Sequence, residues 1–203
     1  MEQEPLAALI RPGQYLAIHA EEAVLKAHVS GIDHEQITLL LPPAEALKAK
    51  LPWFGELQLE GPLGQAWSTS QSETPAVVLA ADLGIGPALA LIDKLQPAPQ
   101  LVMLEAGELE LPFRPQPSLF IVNGLPAPVI AAVPALEAQG IPSRLADPQG
   151  SPGCYEGTLL ELFQHWLAHK DEQPPLEVFA SLSRPLLAEL QSMPLLRIHA
   201  LEI

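Results

Sequence analysis

Proline is the feature that most restricts the fold of this chain, because 23 of its 203 residues are proline. This share is roughly twice the average. A proline inside a helix removes a backbone hydrogen bond and collides with the preceding turn. The sequence therefore predicts short helices and strands joined by stiff turns, and it excludes a coiled coil or a helical bundle. With 48% apolar residues the chain can still bury a sizeable core.

Acidic residues outnumber basic residues by 24 to 10, which gives a formal net charge of -14. Phosphate backbones and anionic membrane surfaces repel such a chain, so we expect neither nucleic acid nor a membrane as a partner. The single cysteine, Cys154, excludes an internal disulfide and a cluster held by four thiolates. The N-terminal residues lack the basic start and apolar stretch of a signal peptide, and we expect a soluble cytoplasmic protein.

Short apolar or alternating runs, bounded by turn residues, occupy residues 6–64. They lie at Tyr15–Ile18, Val24–Ile32, Gln36–Leu41 and Glu56–Glu60, with a helix-like piece at Pro43–Lys50. Such runs predict an antiparallel sheet or barrel. The segment 66–75 is polar and lacks periodicity, so we expect it to link a first domain, residues 1–70, to a second domain, residues 75–203.

After residue 75, strand-like runs alternate with helix-like segments. Strands are predicted at Ala76–Ala81, Leu101–Glu105, Leu119–Val122, Ser143–Ala146, Glu177–Ala180 and Leu195–Leu201, and helices at Pro87–Leu95, Val129–Gln139, Thr158–His169 and Arg184–Gln191. This alternation predicts a mostly parallel sheet with helices on both faces. The acidic, proline-rich residues 108–117 are expected to leave the sheet as an excursion or an extra hairpin.

Three segments resemble, in this order, motifs of the ferredoxin–NADP reductase superfamily. They are Pro12-Gly13-Gln14-Tyr15, Gly61-Pro62-Leu63-Gly64 and the turn Gly84-Ile85-Gly86-Pro87. Within the superfamily the chain most resembles the electron-transfer subunit of dihydroorotate dehydrogenase, from about residue 8 to residue 203. The resemblance implies a small, truncated antiparallel β-barrel that holds FAD or FMN, followed by a Rossmann-like α/β domain that holds NAD(P)H. In an active member, electrons pass through the bound flavin.

The resemblance also implies which residues would contact the cofactors. Lys26 and His28 lie near the position of the family's Arg-x-Tyr-Ser flavin motif, where Lys26 would supply charge and His28 a flat ring. Alternatively, both side chains lie on the solvated face of a strand. Two further segments would contact the cofactors. One would line the domain junction and consists of Gly61, Pro62, Leu63 and Gly64. The other would present backbone amides to a phosphate and consists of Gly84, Ile85, Gly86 and Pro87. No residue is assigned a catalytic role.

Three positions depart from the family pattern in a way that disfavours NAD(P)H. Asp82 follows Ala81 where the family has a glycine pair, and Glu108 stands where the family has a basic residue. Carboxylates repel phosphate, although Asp82 also suits a turn, a helix cap, or a cationic or hydroxylated ligand. Ser181 lies where the family has the cysteine of a Cys-Gly-Pro turn. We therefore predict flavin-linked electron transfer with NAD(P)H unlikely; the alternative is a non-catalytic binding or regulatory protein that lost both cofactors.

Two expectations concern partners and metals. Family members carry further strands before the Pro-Gly-Gln segment, and a barrel without them exposes an edge. This predicts a homodimer or a protein partner at that edge.

Glu161, His165 and His169 share one stripe of a predicted helix, but the opposite stripe is apolar, so we expect a solvated surface and no metal. The cysteine-rich tail that ligates a [2Fe–2S] cluster in the dihydroorotate dehydrogenase subunit is missing, so no iron–sulfur cluster is predicted.

Overall fold

A computed structural model describes residues 5–20, 23–33, 36–49, 51, 55–67, 74, 76–105, 107, 111–170, 176–194 and 196–203. The strands are β1 (Tyr15–His19), β2 (Val24–Asp33), β3 (Gln36–Leu40), β4 (Gln58–Leu63), β5 (Ala76–Ala81), β6 (Leu101–Glu105), β7 (Gln116–Pro117), β8 (Ala131–Ala132), β9 (Ser143–Ala146), β10 (Leu176–Leu182) and β11 (Leu196–Glu202). The helices are α1 (Leu6–Leu9), α2 (Pro43–Lys48), α3 (Ile85–Ile92), α4 (Pro134–Ala138), α5 (Leu159–His169) and α6 (Arg184–Gln191). None of the described helices is long and apolar enough to cross a membrane.

The first four strands form an antiparallel sheet in the order β3-β2-β1-β4. Alternation places Leu16 and Ile18 of β1 and Leu25 and Ala27 of β2 in the interior, where each is at most 5% exposed. Strand β4 is less covered, and its residues 58–61 are exposed. Among the described residues, β3 and β4 are the two edges of this sheet. The predicted antiparallel sheet is confirmed.

The second sheet is parallel throughout, in the order β11-β10-β5-β6-β9. Every residue of the central strands β5 and β10 is buried, as expected for strands covered on both faces. Helices α5 and α6 pack on one face with Phe163 and Leu190, and α3 and α4 pack on the other with Leu91 and Leu136. The predicted parallel sheet with helices on both faces is confirmed.

The structure corrects two predicted elements. Leu119–Val122 is not a strand: the Leu119 amide donates to the Glu137 carboxylate, and β9 takes the place beside β6. In the predicted helix Val129–Gln139 only α4 is helical, because residues 131–132 form β8 and Pro134 stands in the first turn of the helix. Strands β7 and β8 pair antiparallel, so the last two residues of the predicted excursion, 108–117, pair with residues 131–132 and not within the excursion itself.

The two sheets are joined by packing as well as by the chain. Helix α3 lies against β2, with Gly86 facing His28 and Leu40. Trp67 lies just after β4, yet its ring belongs to the core of the second sheet and meets Phe179 edge-on at 6.5 Å between ring centroids. The domain boundary near residues 70–75 stays a prediction, because residues 68–73 and 75 lie outside the described residues.

Candidate functional site

A cleft of about 230 Å³ lies between the antiparallel sheet and the last strand of the parallel sheet. Nine residues line it: Gly13, Tyr15, Lys26, His28, Gly64, Gln65, Ala200, Leu201 and Glu202. The structure therefore brings together three of the residues predicted from the sequence, Lys26, His28 and Gly64. They come from β2 and the end of β4, and β11 supplies the opposite side.

Tyr15, Lys26 and His28 form one wall of the cleft because of the register of β1 and β2. Tyr15 pairs with His28, and Ala17 pairs with Lys26, so alternate residues of the two strands share a face. The Lys26 Nζ atom lies 4.9 Å from the centroid of the Tyr15 ring, within the range of a cation–π contact. The Tyr15 and His28 rings lie 6.4 Å apart, inclined by 41°.

The charge of the cleft rests on Lys26. No carboxylate among the described residues pairs with Lys26, whereas Glu202 on the other side is paired with Arg184 at 2.9 Å. His28 is 3% exposed, and burial, with a smaller effect of Lys26, lowers its pKa to about 4. His28 is therefore neutral at pH 7 and offers one donor and one acceptor nitrogen. The alternative that both side chains lie on a solvated face fails for His28, while Lys26 is exposed.

The Gly61–Gly64 segment reaches the cleft only at its last residue. Gly64 has a φ of 80°, and a Cβ there would lie 2.9 Å from a carbon of the Tyr15 ring. Glycine thus lets the backbone lie directly against the ring. Gly61, Pro62 and Leu63 belong to β4 and pack beside β1, where Leu63 pairs with Tyr15.

The turn Gly84–Pro87 begins α3 and is buried. A Cβ on Gly84 would collide with the Ser181 carbonyl and with the Ile203 side chain, and Gly86 faces β2 and β3. The backbone of the turn is therefore packed between the two sheets. Its predicted contact with a phosphate stays a prediction.

Asp82 lies at the carboxyl end of β5, outside the cleft. Its φ is 50°, a left-handed conformation that aspartate adopts more readily than most residues. Its carboxylate packs against Gly107, where a Cβ would collide with it. Asp82 is thus an exposed turn residue at the end of a strand. Glu108, the second predicted acidic departure, lies outside the described residues.

Further carboxylates lie at the same edge of the parallel sheet, where open α/β sheets bind their ligands. Glu105 ends β6 and accepts a 2.6 Å hydrogen bond from the Leu159 amide at the start of α5. Burial raises the pKa of Glu105; the Leu159 amide opposes the shift, and the charges of Asp82, Asp147 and Glu161 add to it. A helix start that would suit a phosphate is therefore occupied by a carboxylate of the chain itself.

The histidine stripe of α5 is a partly exposed surface. The His165 and His169 rings stack 4.2 Å apart, and the Glu161 carboxylate accepts from the Thr158 amide in the capping box of α5. Across the described residues, no three His, Cys, Asp or Glu side chains form a group that could hold a metal ion. Ser181 lies at the end of β10, fully buried, and its hydroxyl has no hydrogen-bond partner in the described structure.

The residues that sequence reasoning missed are Tyr15, Gly13, Gln65 and the three residues of β11. Tyr15 belongs to the Pro-Gly-Gln-Tyr segment, so its position had a signal, but its pairing with His28 depends on strand register. No sequence pattern marks residues 200–202 as part of the cleft, because only the strand order of the parallel sheet brings β11 close to the antiparallel sheet.

Comparison with known proteins supports the fold. The chain matches no protein-family model and no curated protein sequence. Among solved structures it is similar to the flavohem-like FAD/NAD-binding domain of nitric oxide dioxygenase from Vibrio cholerae O1 biovar El Tor, with a TM-score of 0.62 and 12% identity over 96% of this chain and 85% of that chain. It is also similar to a ferredoxin NADP+ reductase from Neisseria gonorrhoeae with bound FAD and NADP, with a TM-score of 0.53 and 11% identity over 98% and 89% of the two chains.

A third similar structure is an NADH-dependent reduced ferredoxin-NADP oxidoreductase, with a TM-score of 0.59 and 14% identity over 86% of this chain. This chain spans 58% of the length of that protein. At these identities the likeness shows the fold: an antiparallel β domain followed by a parallel α/β domain, as in ferredoxin–NADP reductases. The predicted fold class is confirmed.

Proposed function

We propose that this chain is a flavin-binding relative of the ferredoxin reductases, which transfers electrons through FAD or FMN held in the cleft beside Tyr15. The observation that carries the proposal is the wall formed by Tyr15, Lys26 and His28 at the junction of the two sheets. A flavin supplies hydride and one-electron chemistry, while the protein supplies binding, orientation and charge.

The residues of the cleft fit the ring system of a flavin. Tyr15 offers an aromatic face, and neutral His28 offers a donor and an acceptor to the polar edge of a flat ring. The backbone of Gly64 lies directly against the Tyr15 ring, and both residues line the cleft. A volume of about 230 Å³ is below the ~300–1,000 Å³ of sites that enclose a whole small molecule, so the remainder of the flavin would lie along the open surface.

Lys26 places a positive charge in the cleft of an otherwise acidic molecule. In a chain of net charge -14, an exposed lysine without a described carboxylate partner favours an anionic group of the ligand. Hydrogen bonds to charged groups contribute about 1.5–3 kcal/mol, or roughly tenfold to a hundredfold in affinity. Lys26 is the residue that we expect to hold the negative charge of the flavin.

An absorption spectrum of the purified protein, with added FAD or FMN, tests the proposal. We expect a flavin spectrum in the wild type and at least about tenfold weaker flavin binding in Lys26→Met. Lys94→Met is the matched control, because Lys94 is an exposed lysine that does not line the cleft. A colourless protein that takes up neither FAD nor FMN would refute flavin-linked electron transfer.

We also propose that NAD(P)H does not bind productively, and that the chain is close to the electron-transfer subunit of dihydroorotate dehydrogenase without its iron–sulfur cluster. The carboxylates Asp82, Glu105 and Asp147 at the end of the parallel sheet support the exclusion of NAD(P)H. The segment Gly61–Gly64 supports the relation to the dihydroorotate dehydrogenase subunit.

The alternative function is a non-catalytic binding or regulatory protein that lost both cofactors. The buried turn Gly84–Pro87 favours this alternative. The flavin titration separates the two functions.

A further inference from the structure

A carboxylate lines the cleft together with Lys26, and an arginine outside the cleft holds it. Among the described residues that line the cleft, Lys26 carries the only positive charge and Glu202 the only negative charge. The Arg184 guanidinium donates twice to the Glu202 Oε1 atom, from Nε at 3.0 Å and from Nη2 at 2.9 Å. Arg184 does not itself line the cleft. The charge of Glu202 is therefore neutralised from outside the cleft.

Strands β10 and β11 bring Arg184 and Glu202 together. The two strands run parallel, and Leu182 at the end of β10 pairs with Glu202 at the end of β11. Arg184 follows Leu182 by two residues and begins α6. Alternation along β11 places Glu202 on the same face as Leu196 and Ile198, which pack against the core that α6 also covers. Both charged side chains thus lie at the carboxyl edge of the parallel sheet.

The ion pair places charge at the cleft rather than stabilising the fold. The Arg184 side chain is 82% exposed and the Glu202 side chain is 50% exposed. Exposed ion pairs contribute little to stability, because water already solvates both charges. Together, Lys26, Glu202 and Arg184 carry one net positive charge at the cleft. Without Arg184 this sum falls to zero.

The ion pair also leaves Lys26 available to a ligand. The Lys26 Nζ atom lies 4.9 Å from the centroid of the Tyr15 ring, and no described carboxylate pairs with it. Because Lys26 and Glu202 line one cleft of about 230 Å³, a Glu202 side chain released by Arg184 shares this space with Lys26. A free carboxylate attracts the lysine and repels a phosphate. Loss of Arg184 therefore disfavours an anionic ligand in two ways.

We propose that Arg184 is a positioning residue that holds Glu202 and thereby makes the cleft select FMN over riboflavin, which has the same ring system but no phosphate. This inference rests on the proposed flavin function and adds the residue that controls its selectivity. Arg184 acts through Glu202, so its effect falls on the charged part of the ligand. The ring system, which the proposed function places beside Tyr15 and His28, is left unaffected.

Fluorescence titration of the full chain with FMN and with riboflavin tests the proposal. A unit charge about 4 Å from a phosphate in water changes affinity by about fivefold. At low ionic strength we expect Arg184→Gln to bind FMN weaker by about this factor and riboflavin as tightly as wild type does. Arg184→Gln/Glu202→Gln should regain the wild-type affinity for FMN, because the carboxylate that the arginine held is absent. Arg114→Gln is the matched control, since Arg114 is exposed and does not line the cleft.

The ratio of the two affinities distinguishes positioning from a structural role. If Arg184→Gln weakens FMN and riboflavin equally, or weakens neither, the proposal is overturned while flavin binding stands. Failure of Arg184→Gln/Glu202→Gln to regain FMN affinity also overturns it. High salt should remove the difference between wild type and Arg184→Gln, because it screens exposed charges. Circular dichroism of each variant shows that the fold is retained.

Calorimetric titration with pyrophosphate separates this inference from the proposed function. A wild type that binds no flavin, but binds pyrophosphate more tightly than Arg184→Gln does, refutes the flavin function and still supports control of the cleft charge by Arg184. Equal binding of pyrophosphate by wild type and Arg184→Gln counts against that control. A wild type that binds neither flavin nor pyrophosphate overturns both the function and the inference.

Discussion

At the scale of single residues, His28 makes the stability of the fold depend on pH. Its pKa in the folded protein is about 4, below the value near 6.5 expected in the unfolded chain. The unfolded state therefore binds the proton more tightly. The stabilisation from neutral His28 is present above pH 6.5 and is lost as the pH falls toward 4. The difference corresponds to about 3 kcal/mol.

We expect the free energy of unfolding of the wild type to fall by about 3 kcal/mol more than that of His28→Gln between pH 6.5 and pH 4. Urea unfolding at a series of pH values measures this difference. His169→Gln, at the exposed end of α5, is the control and should retain the wild-type slope. Parallel pH profiles for wild type and His28→Gln would show that His28 is not the group responsible.

Only some residues of the cleft can be predicted from the sequence. Lys26 and His28 were predicted because they occupy the place of a cofactor motif, and both do line the cleft. The sequence predicts no role for Tyr15, since its contact with Lys26 depends on the register of β1 and β2, which the sequence does not determine by itself. The cofactor contacts of all these residues remain predictions.

At the scale of elements, Glu137 joins α4, β9 and residues 118–119. Its carboxylate accepts from Ser118, Leu119 and Ser143, so its removal leaves several buried donors without an acceptor. We expect Glu137→Ala to lower the free energy of unfolding by about 3 kcal/mol, measured by urea unfolding. Glu189→Ala on the exposed side of α6 should change it by less than about 0.5 kcal/mol. Similar small losses in both variants would contradict a structural role for Glu137.

The two wrongly predicted elements lie beside this same carboxylate. The run Leu119–Val122 has the composition of a strand, but its backbone groups are taken by the side chains of Glu137 and Arg144. No local pattern signals a carboxylate 18 residues further along the chain. The buried strands β5, β6 and β10 were predictable, because continuous apolar runs of that length are typical of a parallel sheet.

At the scale of the whole molecule, alternation of strands and helices was enough to predict a parallel sheet covered on both faces. The position of the cleft was not predictable, since β11 must first reach the edge of that sheet before Ala200–Glu202 can face Tyr15. The net charge of -14 disfavours nucleic acid and anionic membranes as partners. The structure adds its distribution: carboxylates gather at the carboxyl edge of the parallel sheet, and the cleft holds Lys26 together with Glu202, which is paired with Arg184.

This distribution predicts how Asp82 acts on a nicotinamide nucleotide. A charge about 4 Å from a phosphate costs about 4 kcal/mol at an effective dielectric constant of 20, but only about 1 kcal/mol in water. Because Asp82 is exposed, the smaller figure applies. We expect Asp82→Asn to bind NADH or NADPH about fivefold more tightly than wild type at low ionic strength.

Asparagine is the suitable replacement, because it tolerates the left-handed φ of 50° and keeps the shape that packs on Gly107. Fluorescence titration at low and high salt measures the ratio of affinities, which should approach one as salt screens the exposed charge. Asp93→Asn, at the end of α3, is the control for the loss of one negative charge elsewhere. If Asp82→Asn and wild type bind equally at low salt, Asp82 does not exclude the nucleotide, and any exclusion rests on Glu105 and the buried turn.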